Sequence, residues 1–225
     1  MKILITAGGT VESIDDVRGI TNFATGNLGK ITAEKFLSNG HFVHLIIGPN
    51  VVKPETHENL LLHPISSVSD LMNTMEAIIP QVDVVIHSMA VSDYSPIAIA
   101  GFDEIPNKLD NLSNLTERKI SSSAEYQVLV LKKTPKVISF VKKWNPNVKL
   151  FAFKLLSGSS KETLLEIAQQ SLLKNQADFM LANDLDNIDE NHHHAFLLDS
   201  SSNLTEFHSK SDIADGILQK AEENS

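Results

Sequence analysis

Within its first 48 residues the chain passes from an apolar strand through a glycine turn into a helix and out to a second strand, an order that leaves few folds open. Residues 2–6 read as a buried strand, followed by Gly8 and Gly9 and a polar, irregular stretch to Asn27. A helix is predicted over roughly 28–39, stopped by Gly40. Phe42 to Ile47 is a β-rich apolar run closed by Gly48-Pro49. Strand, helix and strand in this order form a βαβ unit, with parallel strands and a right-handed crossover. The alternation recurs. Helical spacing of Leu71, Met75, Ile78 and Ile79 predicts a helix over 68–79, and a short strand follows over 83–87. Strands are expected over 126–131, 149–153 and 178–182, and helices over 134–143, 161–174 and about 210–222. Ala195–Leu198 and Leu204–His208 suggest a hairpin joined by 200–203. Residues 95–125, rich in Ser, Asn and Lys with Pro96, Gly101 and Pro106, read as a long irregular segment. The expected fold is α/β: one domain over 1–225, three-layered and Rossmann-like, with a mostly parallel sheet. An inserted loop and strand region near 95–131 is placed to form a dimer contact.

A net charge of -9 argues against a nucleic-acid partner bound through a basic surface. It does not exclude a phosphorylated small molecule, which needs only a local set of backbone N–H groups and a lysine or two. No apolar run approaches the roughly 20 residues that span a bilayer. The short apolar stretch after Lys2 reads as a first strand rather than a leader. Without cysteine there is no disulfide framework and no thiol nucleophile, as expected of a cytoplasmic protein.

In an open parallel sheet, ligands bind beyond the carboxyl ends of the strands. Segments 7–30, 88–95, 153–160 and 182–188 fall there. The first contains Gly8, Gly9, Thr10 and then Gly26-Asn27-Leu28-Gly29-Lys30 ahead of a helix. Glycines let backbone N–H groups approach phosphate, and a helix N-terminus adds positive potential. The spacing is neither GxGxxG nor that of a P-loop. A plain tight turn is the competing reading.

The stretch Ile5-Thr6-Ala7-Gly8-Gly9-Thr10-Val11-Glu12-Ser13-Ile14-Asp15-Asp16-Val17-Arg18-Gly19-Ile20-Thr21-Asn22 resembles the long signature of phosphopantothenoylcysteine synthetases. Ala24-Thr25-Gly26-Asn27-Leu28-Gly29, Met89-Ala90-Val91-Ser92-Asp93-Tyr94, Arg118-Lys119-Ile120, Phe153-Lys154-Leu155 and Ala182-Asn183-Asp184 are similar to later motifs of that family, in the same order. Departures are Ser121 and Ser122 in place of two lysines, Leu156 in place of a glutamate and Met89 in place of alanine. The resemblance covers nearly the whole chain and implies a stand-alone form, without the flavin-dependent decarboxylase often fused to it.

The resemblance implies an amide ligase of coenzyme A biosynthesis. The carboxylate of 4'-phosphopantothenate attacks the α-phosphate of CTP (or ATP), pyrophosphate leaves, and the amine of cysteine attacks the acyl-nucleotide. Such chemistry must hold several phosphate charges and stabilise a growing oxyanion. Gly8, Gly9, Thr10 and Gly26 are then the phosphate cradle. Asn22 holds the acyl-nucleotide, since an amide both donates and accepts; an Asn satisfying its own loop is the alternative. Lys119 closes over phosphates as a point charge, unless it is a solvated surface lysine. Asp93 binds the metal–nucleotide complex or orients an amine, unless it caps a turn. Phe153 flanks the base, Lys154 and Lys174 meet triphosphate oxygens, and Ala182, Asn183 and Asp184 contribute backbone groups that read the base. Arg18, Ala90 and Tyr94 contact substrate, with an Arg18 ion pair to Asp15 or Asp16 as the alternative for the first. Mg²⁺ is implied only with the nucleotide, and the family generally forms homodimers through the inserted region.

His192-His193-His194 reads as a polar turn rather than a metal site, because adjacent histidines in a strand face opposite ways. Two other functions fit part of the pattern. A Rossmann-type NAD(P)-dependent oxidoreductase requires an acidic residue ending the second strand, where this chain has Gly48-Pro49-Asn50. A nucleotide-binding module without turnover would bind nucleotide and release no pyrophosphate.

Overall fold

The computed structural model describes residues 1–102, 125–188 and 192–223. Eight strands form the main sheet: β1 (Lys2–Ala7), β4 (Phe42–Ile47), β5 (Leu60–Pro64), β6 (Val84–His87), β9 (Lys149–Leu156), β10 (Phe179–Ile188), β11 (His193–Asp199) and β12 (Leu204–Phe207). Their order is β12-β11-β10-β9-β6-β1-β4-β5. The run from β10 to β5 is parallel throughout, and β11 and β12 are antiparallel. Two small ribbons complete the strands, β2 (Val11–Ser13) with β3 (Gly19–Thr21) and β7 (Tyr94–Gly101) with β8 (Gln127–Lys133).

Alternation along the central strands builds two cores. Ile3 and Ile5 of β1 face one side, where they meet Phe36 of α1 (Asn27–Ser38) and Ile213 and Ile217 of α5 (Lys210–Glu222). Leu4 faces the other side with Val85, among Leu71 and Met75 of α2 (Val68–Ile78), Val141 of α3 (Val141–Trp144) and Leu164 and Ala168 of α4 (Lys161–Asn175). Coverage of both faces is why β1, β4 and β6 read as nearly continuous apolar runs, broken in β4 only by His44 and in β1 by Thr6. Ser67, Ser160 and Ser209 cap α2, α4 and α5 by accepting a backbone N–H from the third helical residue, and Ser67 and Asp70 close a capping box. Helix α1 differs: Gly26 precedes it at φ 74°, with no side-chain cap and no acidic residue in its first turn.

Several expectations need correction. The stretch from residue 95 is not irregular throughout, because β7 occupies 94–101 despite Pro96, where the ladder register shifts. The helix expected over 134–143 is a 3₁₀ turn over Val137–Phe140 followed by the single turn of α3. The histidine stretch is no polar turn. His193 and His194 begin β11, with the His193 N–H donated to the carbonyl of His208 at 3.0 Å. Strand β5 and the β2–β3 ribbon were not foreseen.

Candidate active site

The chain passes from β1 to β4 on one side of the sheet centre and later returns through β5 and α2 to β6 on the other. Between the carboxyl ends of β1 and β6 the strand order reverses, the switch point at which open α/β sheets form their ligand crevice. Beyond the last ladder pair, Thr6 with His87, the backbones stay joined. Ala90 N–H donates to the Gly8 carbonyl at 2.8 Å, and Thr10 N–H donates to the Ala90 carbonyl at 3.1 Å. Thr10 and Ser92 are buried and bonded to each other through their hydroxyls. Thr21 donates its hydroxyl to the Thr10 carbonyl at 2.9 Å, tying the β3 end to the same turn.

The glycines are required by contact as well as conformation. Gly8 has φ 84°, and a Cβ there would lie 2.2 Å from Val51 Cγ2. A Cβ on Gly26 would lie 2.3 Å from Val51 Cγ1 and 3.2 Å from Gly8 N. One on Gly48 would lie 2.1 Å from the Gly9 carbonyl oxygen. Only glycine lets these three backbone segments close together. The result is a turn of main-chain groups beside the uncapped N-terminus of α1, where the helix dipole favours an anion.

Asn22 is exposed, with Nδ2 3.5 Å from the Ala90 carbonyl. The next residue, Phe23, has its ring wholly in solvent. Asp93 is exposed and 3.4 Å from Lys136 Nζ, and its carbonyl accepts the Thr134 N–H at 3.0 Å. Tyr94 is half exposed at the start of β7. Gly8, Gly9, Thr10, Asn22, Gly26, Ala90 and Asp93 thus line or border one crevice. Lys119 lies outside the described residues.

Two strands along, Lys154 of β9 pairs with Ala182 of β10, and Leu155 and Leu156 pair with Asn183 and Asp184, so the two motifs lie side by side. Phe153 is half-buried against the core. The side chains of Asn183 and Asp184 are committed to the protein. Asn183 bonds its Nδ2 to His193 Nε2 at 3.1 Å. Asp184 is 2% exposed. It accepts the Ser159 hydroxyl at 2.6 Å and the N–H groups of Ser159, Gly158 and Asp186. Those bonds, the Ser159 hydroxyl foremost, hold its carboxyl down at about 2. Arg18 pairs with Asp15, NH2 to Oδ2 at 2.7 Å and Nε at 3.1 Å. Lys174 is exposed in the last turn of α4, which leads into the amino end of β10, so it sits at the opposite end of the strands from the crevice.

Ser92, Val51, Gly48 and Lys136 belong to the crevice but were not singled out from sequence. Each acts through a tertiary contact that no local pattern announces. His87 beneath the crevice is buried and neutral, its pKa pushed down to about 4 by burial and, to a lesser degree, by Lys136. Its Nδ1 lies 2.9 Å from the Thr6 hydroxyl, whose oxygen also accepts the Met89 N–H at 3.2 Å.

Comparison with known proteins supports the fold. A solved structure from Streptococcus pneumoniae, described as the DNA/pantothenate metabolism flavoprotein, superposes with a TM-score of 0.92 at 44% identity, covering 100% of each chain. The chain is 33% identical over 186 residues to the coenzyme A biosynthesis bifunctional protein CoaBC of Thermococcus kodakarensis, covering 82% of this chain and 41% of that one. It is 28% identical over 184 residues to CoaBC of Methanocaldococcus jannaschii, covering 82% and 40%. The chain therefore spans less than half the length of these curated relatives. Residues 1–105 and 110–224 match the model of the DNA/pantothenate metabolism flavoprotein C-terminal domain, and the chain belongs to that family.

Proposed function

We propose that this chain is a phosphopantothenate–cysteine ligase, which joins cysteine to 4'-phosphopantothenate at the expense of CTP or ATP. The observation that carries the reading is the crevice between β1 and β6. There the Gly8–Thr10 turn, the uncapped α1 N-terminus and the Asn22 amide converge on one place. It supports an anionic ligand flanked by a neutral amide, which is what an acyl-nucleotide presents. Membership in a family whose members include the C-terminal part of coenzyme A biosynthesis proteins supports the same reaction.

The triphosphate lies across the Gly8–Gly9–Thr10 turn and Gly26, with its base toward β9 and β10. The carboxylate of 4'-phosphopantothenate attacks the α-phosphorus and pyrophosphate departs. The amine of cysteine then attacks the acyl carbon, loses its proton and expels the nucleoside monophosphate. Asn22 donates to the acyl phosphate. Lys119 and Lys136 supply positive charge as pyrophosphate forms. Phe153 and Lys154 flank the nucleotide, with main-chain groups of Ala182, Asn183 and Asp184 at the base. Ala90 and Tyr94 border the pantothenate arm. The exposed carboxylate of Asp93 at the crevice mouth is a hard oxygen donor that would hold a nucleotide-bound Mg²⁺, which would supply positive charge against the phosphates. Arg18 shapes its loop through Asp15, and the position of Lys174 removes it from this assignment. The β7–β8 ribbon, which leaves the crevice at Asp93, is the proposed homodimer contact.

The deciding experiment is pyrophosphate release by the purified chain with 4'-phosphopantothenate, cysteine and Mg²⁺, comparing CTP with ATP. Release that depends on 4'-phosphopantothenate is expected with at least one nucleotide, and Lys119→Gln slows it. A folded protein that binds nucleotide and releases nothing with either would overturn the reading in favour of a binding module.

A further inference from the structure

His194, Glu206 and His208 converge on one face of the β11–β12 hairpin, at the free edge of the main sheet. The antiparallel register pairs Ala195 with Phe207 and Phe196 with Glu206, which places His194 opposite His208. Glu206, two residues before His208, shares its face. One potential ligand atom from each residue lies within 4.8 Å of the other two. His194 Nε2 is already 2.5 Å from Glu206 Oε1, and the two imidazole rings stack at 5.3 Å with planes 7° apart.

This geometry is close to what a small cation needs. With bonds of roughly 2.1 Å, a tetrahedral ion holds its ligand atoms about 3.4 Å apart. The remaining difference is a matter of side-chain rotation at a surface where Glu206 and His208 are exposed and His194 is half-buried. Two imidazoles and a carboxylate suit zinc and its transition-metal neighbours, whereas Mg²⁺ and Ca²⁺ prefer all-oxygen sets. Among the described residues, Lys161 sets a positive charge beside the cluster. Its Nζ sits 4.0 Å from Glu206 Oε2 and 4.4 Å above the Phe196 ring. It is thus engaged with the outer carboxylate oxygen, and Oε1 stays turned toward His194.

We propose that His194, Glu206 and His208 form a binding site for one divalent transition-metal ion of the zinc class, with a coordination position left open to water or to an outside donor. The site lies on the α4 side of the sheet, separate from the crevice between β1 and β6, and does not depend on the ligase reading.

The test is Zn²⁺ titration of the tag-free, metal-stripped full chain by calorimetry, without nucleotide, with Co²⁺ absorption as a second readout. One equivalent is expected to bind, with Co²⁺ giving the intense visible bands of a tetrahedral site. His208→Ala and His194→Gln should each weaken binding about tenfold or more, while Lys161→Met strengthens it. Thermal melting establishes that the variants fold. The absence of saturable uptake by the folded protein, or uptake that both histidine variants retain, would overturn the proposal.

Discussion

Thr10 and Ser92 satisfy one another across the crevice: the Thr10 hydroxyl donates to Ser92 Oγ at 3.0 Å and accepts the Ser92 N–H at 3.0 Å. Both residues are buried, and Thr134 donates its hydroxyl to the Ser92 carbonyl at 2.6 Å. The ends of β1 and β6 and the start of α3's approach are joined through one serine. Thr10→Val leaves the Ser92 N–H buried without a partner, which costs about 1–3 kcal/mol. Thr10→Ser keeps the bond. Urea unfolding of the two variants should separate them by that amount.

Asn22→Asp exchanges an exposed donor for a negative charge beside the Ala90 carbonyl. If the ligase reading is right, kcat for pyrophosphate release falls by about 10²-fold or more. The melting temperature stays near that of the parent, because the side chain is not buried. Unchanged turnover would remove Asn22 from the site.

Gly48→Ala drives a methyl group to 2.1 Å from the Gly9 carbonyl oxygen. Backbone must move, at a cost of about 1–3 kcal/mol or more. On the ligase reading the displaced atom belongs to the turn proposed to cradle phosphate, so nucleotide affinity measured by calorimetry should fall along with stability. Gly40→Ala is the matched control, as nothing lies within 4 Å of its Cβ position. Its positive φ, 76°, adds conformational strain there, but nucleotide affinity should be unaffected.

His87 and His193 are both held neutral, burial being the main cause, with pKa values pushed down to about 4 from 6.5. The unfolded chain binds protons first as pH falls, so this stability is fully present above pH 6.5 and is lost between 6.5 and 4. Each ring contributes a slope of up to about 1.4 kcal/mol per pH unit in that window. Denaturant unfolding at a series of pH values should show the slope, and His87→Asn should remove one share of it.

Asp184 acts in a lower window. Its carboxyl, held at about 2 by Ser159 and neighbouring N–H groups, stabilises the fold above the ordinary carboxylate range. That contribution disappears as pH falls from roughly 4 to 2. Asp184→Asn should be less stable than the parent at neutral pH and should approach it at the acid end of the same titration.

How much could be read beforehand depends on where each signal resides. Strands β1, β4 and β6 are legible because both their faces are covered, so their sequences are nearly continuous apolar runs. Strand β5 is not. Its Leu61 and Leu62 are 46% and 39% exposed at the sheet edge, so the strand is short and shows no alternation of buried and exposed positions. Strand β7 was hidden by Pro96, which it tolerates at a shift in register. In the crevice, the glycines were legible because left-handed turns demand them. Ser92 and Val51 were not, since a hydroxyl pair and a packing wedge exist only after folding. The histidine stretch reads locally as a turn and instead begins β11, because the residues that pair with it stand on the neighbouring strand.

Val51 presses one methyl toward Gly8 and the other toward Gly26. A Cβ at either glycine would force the branched side chain of Val51 to move. Once that residue shrinks, the left-handed backbone at both glycines still admits little beyond Asn or Asp. The three positions are therefore coupled: a side chain at either glycine calls for a change at Val51, although 25 or more positions separate that valine from both in the chain.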